Sequence, residues 1–417
     1  MNNAEINLLK QKALQWASRA QVCCCLDSNS YNDPYSQYDC LIATGARYEL
    51  KAQGGNAFSK LRSFYETHKD WMFGLFSYEL KNEVENLSTC RNDQLNFPDL
   101  YFFIPEYLIA IQGTKLKVLI GDNAIIETIY RIEPEQPISK PGLKIENRFS
   151  KQAYIDTVMQ LQAHISRGDI YEINFCQEFF ANYAHINPLA VYRELNTLSP
   201  TPFAGFFKIN EQYILSASPE RFLCKRGNRL ISQPIKGTAK RSEHKAEDER
   251  IKTALRSNQK EQAENVMIVD LVRNDLTKSA VKGSVKVDEL FGIYSFPQVH
   301  QMISTVSCEL NPAIHFVDAI KNTFPMGSMT GAPKIRAMQL IEQYELSKRG
   351  VYSGSIGYIN PVGDFDFNVV IRSILYNANK QYLSFQVGGA ITHAADAAAE
   401  YEECLLKASA ILKVLAC

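Results

Sequence analysis

Residues 170–177, 204–209, 213–218 and 222–225 are short extended runs separated by polar turns. Parallel strands need a crossover of about a dozen residues or more, so this spacing favours antiparallel hairpins over βαβ units. The final third continues the pattern, with a meander of strands expected at 353–360, 365–376 and 382–388 and a closing helix over 396–415. Upstream, 48–50, 72–78, 101–111 and 116–120 read as strands and 57–67 as a helix. Ser150 is placed to cap a helix in which Tyr154, Val158, Leu161 and Ile165 recur at helical spacing before Gly168 ends it. Residues 245–272 read as one long helix, and 330–344 as another with Pro333 in its first turn. The expected class is α+β, built on large antiparallel sheets.

The chain of 417 residues is 46% hydrophobic and 22% charged, the composition of a soluble globular protein. From Glu133 to Ser150 it becomes irregular around Pro134, Pro137, Pro141 and Gly142. The division is placed there, giving an N-terminal α/β region over 1–140 and a larger region over 150–417. Lys+Arg and Asp+Glu both number 45, so no excess positive charge favours nucleic acid. The ten cysteines include no C-x-x-C pair, which fits thiols in a reducing cytoplasm better than zinc or disulfides. The most apolar run, 100–111, is interrupted by Pro105 and Glu106 and is too short to cross a bilayer.

Several polar constellations stand out. Pro234-Ile235-Lys236-Gly237-Thr238 sets a lysine between two backbone punctuators, either a solvated cation beside a turn or a held nucleophile. On the closing helix Glu400, Glu403 and Lys407 share a face at i, i+3 and i+7. Glu261 and Glu264 stand just before the apolar run Val266-Met267-Ile268-Val269. Each pair fits an ion-paired helix face, and one glutamate from each helix would suffice for Mg²⁺, which takes few protein oxygens and keeps its waters. In Ser218-Pro219-Glu220-Arg221-Phe222, Glu220 is a surface charge or, if buried, a general acid. The segment from Asp270 to Leu276 reads as a capping and salt-bridge network. Gly327 to Lys334 lacks the second glycine of a Walker loop, leaving a tight turn into a helix N-terminus. Gly388-Gly389 offers backbone donors, and Arg372 suits a carboxylate.

The order of these motifs resembles the chorismate-utilising enzyme family. The resemblance runs from Gly168-Asp169-Ile170-Tyr171 through the segments around Glu220, Lys236, Glu264 and Asp270 to Leu276. It continues through Gly327 to Lys334, Ile371-Arg372-Ser373, Gly388-Gly389 and Glu400 to Lys407. It covers residue 150 onward strongly and Trp71 to Leu80 more loosely. It implies an anthranilate synthase component I-like fold of stacked antiparallel sheets flanked by helices, with residues 150–417 as the chorismate-binding catalytic region. Pro-Ile-Lys-Gly-Thr is similar to the branch that aminates chorismate at C4, whereas anthranilate synthases carry alanine in place of the lysine.

By this resemblance Mg²⁺ is held by Glu264 and Glu403, with Glu400 close by, and binds the ring carboxylate of chorismate. Lys407 and the Gly388-Gly389 backbone seat that carboxylate, Arg372 and Tyr358 hold the enolpyruvyl arm, and Thr238 joins the substrate-binding set. Glu220 protonates the departing C4 hydroxyl while Lys236 adds at C2, and ammonia then attacks C4. The ammonia is expected from a separate glutaminase (amidotransferase) subunit, since no G-x-C-x-G elbow occurs here.

Two departures bear on the chemistry. Glu172 stands where many relatives carry glutamine and the water-adding isochorismate synthases a lysine base, which argues against water addition. Gln301 occupies the place of a histidine linked to pyruvate elimination in anthranilate synthases, with His300 beside it as an open substitute. The tryptophan motif of anthranilate synthases is not evident around Leu26-Asp27-Ser28. The alternatives are an anthranilate synthase-like activity and a catalytically silent chorismate-fold binding subunit.

Overall fold

The computed structural model describes residues 3–88, 91, 93–135, 141–296 and 299–415. Residues 136–140 of the proline-rich connection, with Pro137, lie outside the described residues, as do Cys90 and Cys417. Two antiparallel sheets stack face to face. In the first the order is Gly331–Ala332, Glu172–Ala181, Tyr382–Ile391, Ser373–Asn377, Gln212–Ser218, Phe203–Ile209, Val22–Asp27, Cys40–Thr44, Tyr107–Gln112 and Lys115–Ile120. In the second it is Ile235–Lys240, Val299–Glu309, Arg229–Gln233, Arg221–Arg226, Phe365–Asn368, Ser355–Ile359, Met72–Phe76, Leu100–Ile104 and Tyr48–Ala52.

The first sheet is buried on both faces, and strand alternation sorts its side chains. Cys24, Leu41, Ala43, Leu108 and Ala110 face the second sheet in one core. Cys23, Cys25, Cys40, Ile42, Ile109 and Ile111 face the helices in the other. Such strands read as continuous apolar runs because neither face meets water. The helix Lys151–Ser166 packs on the outer core through Tyr154, Val158 and Leu161, and Ser150 Oγ accepts the Ala153 N–H at 3.2 Å as its cap. Strands from before residue 140 and after residue 150 are neighbours in both sheets: Cys24 pairs with Phe207, and Gly74 with Gly357.

The structure divides two elements that the sequence reads as continuous. The expected helix over 245–272 is two helices, Lys245–Ser257 and Gln259–Thr277, because Asn258 is extended at ψ 112° and its Oδ1 accepts the Glu261 N–H at 3.2 Å to start the second. The expected strand over 365–376 is also two. Phe365–Asn368 belongs to the second sheet and Ser373–Asn377 to the first, and the chain crosses between them through Arg372 at φ +50°. The run 101–111 divides the same way at Pro105.

A buried cation ties the site's framework together. Arg349 donates to Glu345 Oε2 at 2.9 Å and Oε1 at 2.6 Å, to the Met329 carbonyl at 2.6 Å and to the Asn174 carbonyl at 2.8 Å. Glu345 Oε1 also accepts the Cys176 N–H at 2.8 Å. Strand Glu172–Ala181 is thereby fixed to the Gly327–Met329 turn. Removing one member of a buried pair strands the other, so Arg349→Met should lower stability by about 3–5 kcal/mol, read from urea unfolding. A loss within about 1 kcal/mol would show that the pair does not hold the framework.

Candidate active site

At one end of the stacked sheets, Glu172–Ala181, just inside the short strand Gly331–Ala332, meets the edge strand Ile235–Lys240 through Lys236 and Glu172, and two crossovers between the sheets open beside them. The first crossover joins strand Gln212–Ser218 to Arg221–Arg226 through Pro219 and Glu220. Proline has no N–H for a ladder, so the strand ends there. The second crossover is the one through Arg372. They lie side by side, with the Val369 N–H on the Glu220 carbonyl at 3.0 Å and the Ala217 N–H on the Arg372 carbonyl at 3.2 Å. A left-handed arginine is a strained conformation held by its surroundings.

Lys236 reaches across from the second sheet to the first. Its Nζ donates to Glu172 Oε1 at 2.6 Å, with side chains 10% and 1% exposed. The pairing of Ile235–Lys240 with Val299–Glu309 slips between Ile235 and Thr238, a bulge of the kind that re-aims a side chain. Gly237 makes the bulge possible: it sits at φ +89°, and a Cβ there would lie 3.1 Å from Glu261 Oε2 and 3.3 Å from Leu255. Burial alone would weaken Lys236's hold on its proton, but Glu172, Glu264 and Glu220 outweigh it, so the ammonium is favoured above its ordinary range.

Glu220 is buried and its carboxyl is raised to about 7 by desolvation, against a hydrogen bond from Ser328 and the charges of Lys236 and Arg372. Near neutral pH it therefore holds a proton that it can give up. Arg372 loses some proton affinity to burial and keeps some through Glu220. Among the described residues no carboxylate closes on Arg372 as an ion pair, which leaves its guanidinium free for an anion.

Helices Gln259–Thr277 and Ala397–Leu415 bring a second set of carboxylates to this end. Glu264 is raised to about 7, mainly by burial. Glu400 is raised by burial and by Glu403, while Glu403, also pushed up by burial, is drawn below its usual range by Lys407. Lys407 Nζ bonds Glu403 Oε1 at 2.8 Å and the Gly388 carbonyl at 2.8 Å. A Cβ on Gly389 would fall 2.7 Å from Glu400 Oε2, so only glycine leaves that space open. Among the described residues no three His, Cys, Asp or Glu side chains form a closed metal cage. The donors still fit Mg²⁺, a hard cation that takes one or two carboxylates and completes its shell with water and substrate.

Glu172 and the predicted Lys236, Glu220, Arg372, Glu264, Glu400, Glu403, Lys407, Gly388 and Gly389 therefore gather at one end of the molecule. Thr238 is exposed on the Lys236 strand. Tyr358 is not brought in. Its register partners, Phe73 and Asp366, set it in the middle of the second sheet. Its ring packs 5.6 Å from Trp71 and 6.4 Å from Tyr38, lining a separate cavity of about 60 Å³ with Leu26, Asp27 and Ser28. The tyrosine nearer the site is Tyr352, whose hydroxyl lies 3.6 Å from Cys176 Sγ, and Cys176 pairs with Gly388. Tyr352 stands in the turn before the strand Ser355–Ile359, and Tyr358 lies inside that strand. Ser328, in the Gly327–Met329 turn, hydrogen-bonds Glu220, a pairing that no spacing in the sequence signals.

His300 is held on both sides of its ring. Its Nδ1 meets Ser295 Oγ at 2.8 Å and its Nε2 meets Asp248 Oδ1 at 3.0 Å, so both nitrogens are engaged. Gln301 is buried opposite Thr238, its Oε1 without a partner among the described residues. Asp275 is bound by Lys334 at 2.7 Å and Lys278 at 3.0 Å, the network expected of its segment.

A family model described as chorismate binding enzyme matches residues 21–413. The chain belongs to the chorismate-binding enzyme family. It is 41% identical to an aminodeoxychorismate synthase of Streptomyces griseus, over 82% of this chain and 49% of that one, so it spans about half the length of that relative. It is 33% identical to an aminodeoxychorismate synthase component 1 of Escherichia coli, over 82% of this chain and 76% of that one. The fold matches a solved anthranilate synthase component I of Streptococcus pneumoniae with TM-score 0.80 at 26% identity, covering 91% of this chain and 93% of that one. It also matches the menaquinone-specific isochorismate synthase of Escherichia coli with TM-score 0.79 at 17% identity, covering 97% and 91%. The anthranilate synthase component I-like α+β fold follows.

Glu220 gives this family site a thermodynamic signature. Its carboxyl is raised from an ordinary 4.5 to about 7, so between those values the folded chain binds a proton that the unfolded chain lacks, and stability falls as pH rises. Glu220→Gln should therefore be more stable than wild type at pH 8 by about 3 kcal/mol, with the gap closing toward pH 4.5. Urea titrations of both proteins at the two pH values check this, and a gap independent of pH would place the buried charge elsewhere. Gly237→Ala should lose about 1 kcal/mol or more from its positive φ, measured the same way.

Proposed function

We propose that this chain converts chorismate and ammonia to 4-amino-4-deoxychorismate, the precursor of 4-aminobenzoate and folate. The observation that carries the reading is a buried lysine and a buried, proton-holding glutamate side by side in a chorismate-family site. Relatives named aminodeoxychorismate synthase support it, as does lysine at the position where anthranilate synthases carry alanine.

The residues divide the work. Hydroxide is a poor leaving group, so Glu220, kept protonated by burial and steadied by Ser328, hands its proton to the C4 oxygen as the C–O bond breaks. Lys236 supplies the nucleophile at C2 and holds the ring as a covalent adduct until ammonia bonds at C4. Arg372 holds the enolpyruvyl carboxylate, with Tyr352 beside Gly388 in the place expected of Tyr358. Lys407 and the Gly388-Gly389 backbone seat the ring carboxylate. Glu264 and Glu403, with Glu400 behind them, would hold Mg²⁺, which when bound polarises that carboxylate as a Lewis acid. Water exclusion follows from burial at the junction of the sheets.

Two geometric points support a reaction that stops at the amino-chorismate stage. His300 is locked away by Ser295 and Asp248, and Gln301 is no base for removing pyruvate. The glutaminase that supplies ammonia is a separate subunit in this reading, in keeping with relatives named as component 1. Among the described residues no helix is long and apolar enough to cross a membrane, and eight cysteines are buried free thiols, as a cytoplasmic enzyme would have.

Purified protein given chorismate, Mg²⁺ and ammonium salt should make the 4-amino product, detected as 4-aminobenzoate after a coupling lyase. A 2-amino product would establish the anthranilate reading, and binding without turnover the silent-subunit reading. Glu220→Gln should lower kcat by about 10²–10⁴-fold. Glu264→Ala and Glu403→Ala should each weaken Mn²⁺ binding measured by calorimetry at least about tenfold, since each removes a charged ligand. Lys236→Ala should show no adduct by intact-mass analysis of the quenched enzyme.

A further inference from the structure

Lys236 must shed a proton before it can attack, yet its surroundings favour the ammonium. Five carboxylates other than Glu172 bear on it: Glu220 from the crossover, Glu261 and Glu264 from helix Gln259–Thr277, and Glu400 and Glu403 from helix Ala397–Leu415. Lys260, Lys407 and Arg372 are the cations facing the same carboxylates, Arg372 through Glu220. Glu220 is occupied with the leaving hydroxyl, and Glu264 and Glu403 with the metal. We propose that Glu172 is the base that takes the proton from Lys236 as its nitrogen bonds to C2, an assignment that rests on the activity proposed above.

Three observations carry it. The Nζ to Oε1 contact is 2.6 Å, and the donor nitrogen is the reacting atom itself. Both groups are almost out of water, so the proton can pass directly from nitrogen to oxygen with no solvent molecule between them. Glu172 Oε2 is buried without a hydrogen-bond partner among the described residues, so only one of its two oxygens is engaged as a charged acceptor would be. The carboxylate also stands on a fixed support. Glu172 opens a ten-residue strand buried throughout and pairs with Ala332, while the Tyr171 N–H bonds the Ala332 carbonyl at 2.7 Å.

The protons and electrons balance over the cycle. An N–H bond of Lys236 breaks and its proton goes to Glu172, while the freed lone pair forms the N–C2 bond. The ring π electrons shift, the C4–O bond breaks, and the oxygen leaves as water with the proton from Glu220. Ammonia then bonds to C4, the C2–N bond breaks with its electrons returning to Lys236, and Lys236 recovers its proton from Glu172. The proton shed by the new C4 amine restores Glu220.

Glutamine at 172 keeps the shape and a hydrogen-bond acceptor but takes no proton, and aspartate keeps the base one methylene further back. In the ammonium assay, Glu172→Gln should lower kcat about 10²-fold or more and change KM for chorismate less than about threefold. At equal free ammonia the ratio of wild-type to Glu172→Gln rate should fall as pH rises, because Glu220 titrates alike in both and solvent can take the lysine proton only at higher pH. Glu172→Asp should lose less and keep the wild-type profile. The assignment is overturned if Glu172→Gln stays within about threefold of wild type with the same profile, or if the aspartate profile shifts as glutamine's does. A wild-type protein that makes no 4-amino product would instead overturn the activity reading, and this assignment with it.

Discussion

An ammonium and a carboxylate 2.6 Å apart, nearly sealed from water, join the edge strand of the second sheet to a strand just inside the edge of the first. Such a pair is tolerable only while both members are present, because either charge alone would carry a desolvation penalty of several kcal/mol. The rest of the site is organised by the same difficulty. Glu172, Glu261, Glu264, Glu400 and Glu403 outnumber Lys236, Lys260 and Lys407, and burial raises Glu261, Glu264 and Glu400. The end of the molecule is thus short of positive charge, a balance suited to receiving a cation.

The crossovers explain why this chemistry sits where it does. A strand that leaves one sheet for the other must abandon its ladder, and the backbone at that point is free to adopt conformations a strand forbids. Pro219 and the left-handed Arg372 mark two such points, and their neighbouring carbonyls accept N–H groups from one another's segments. Glu220 and Arg372 are therefore neighbours through the topology of the sheets, although about 150 residues separate them in sequence.

Much of this was legible in the sequence because it depends on local rules. The cap at Ser150, the stripe of Tyr154, Val158 and Leu161, and the glycine after Lys236 are settled by backbone preference and period. What sequence could not supply was decided between sheets. The apolar alternation of 365–376 is the same whether it stays in one sheet or changes at Arg372. Tyr352 and Tyr358 are six residues apart, and where the turn ends and the strand Ser355–Ile359 begins decides which one reaches the site. Asn258 breaks a helix through a local cap that competes with helical continuity, and charge pattern alone does not reveal which wins. Glu172 was noticed as a departure, but its partner lies 64 residues away across two sheets.

The interleaving of early and late strands has a consequence for how the chain is made. Val22–Asp27 leaves the ribosome about 180 residues ahead of its partner Phe203–Ile209, and Met72–Phe76 waits about 280 residues for Ser355–Ile359. Neither sheet can close on a nascent chain until the final quarter has emerged, so apolar edges stay open through most of synthesis. A topology that seals its site so well at the end is one that exposes its future core the longest.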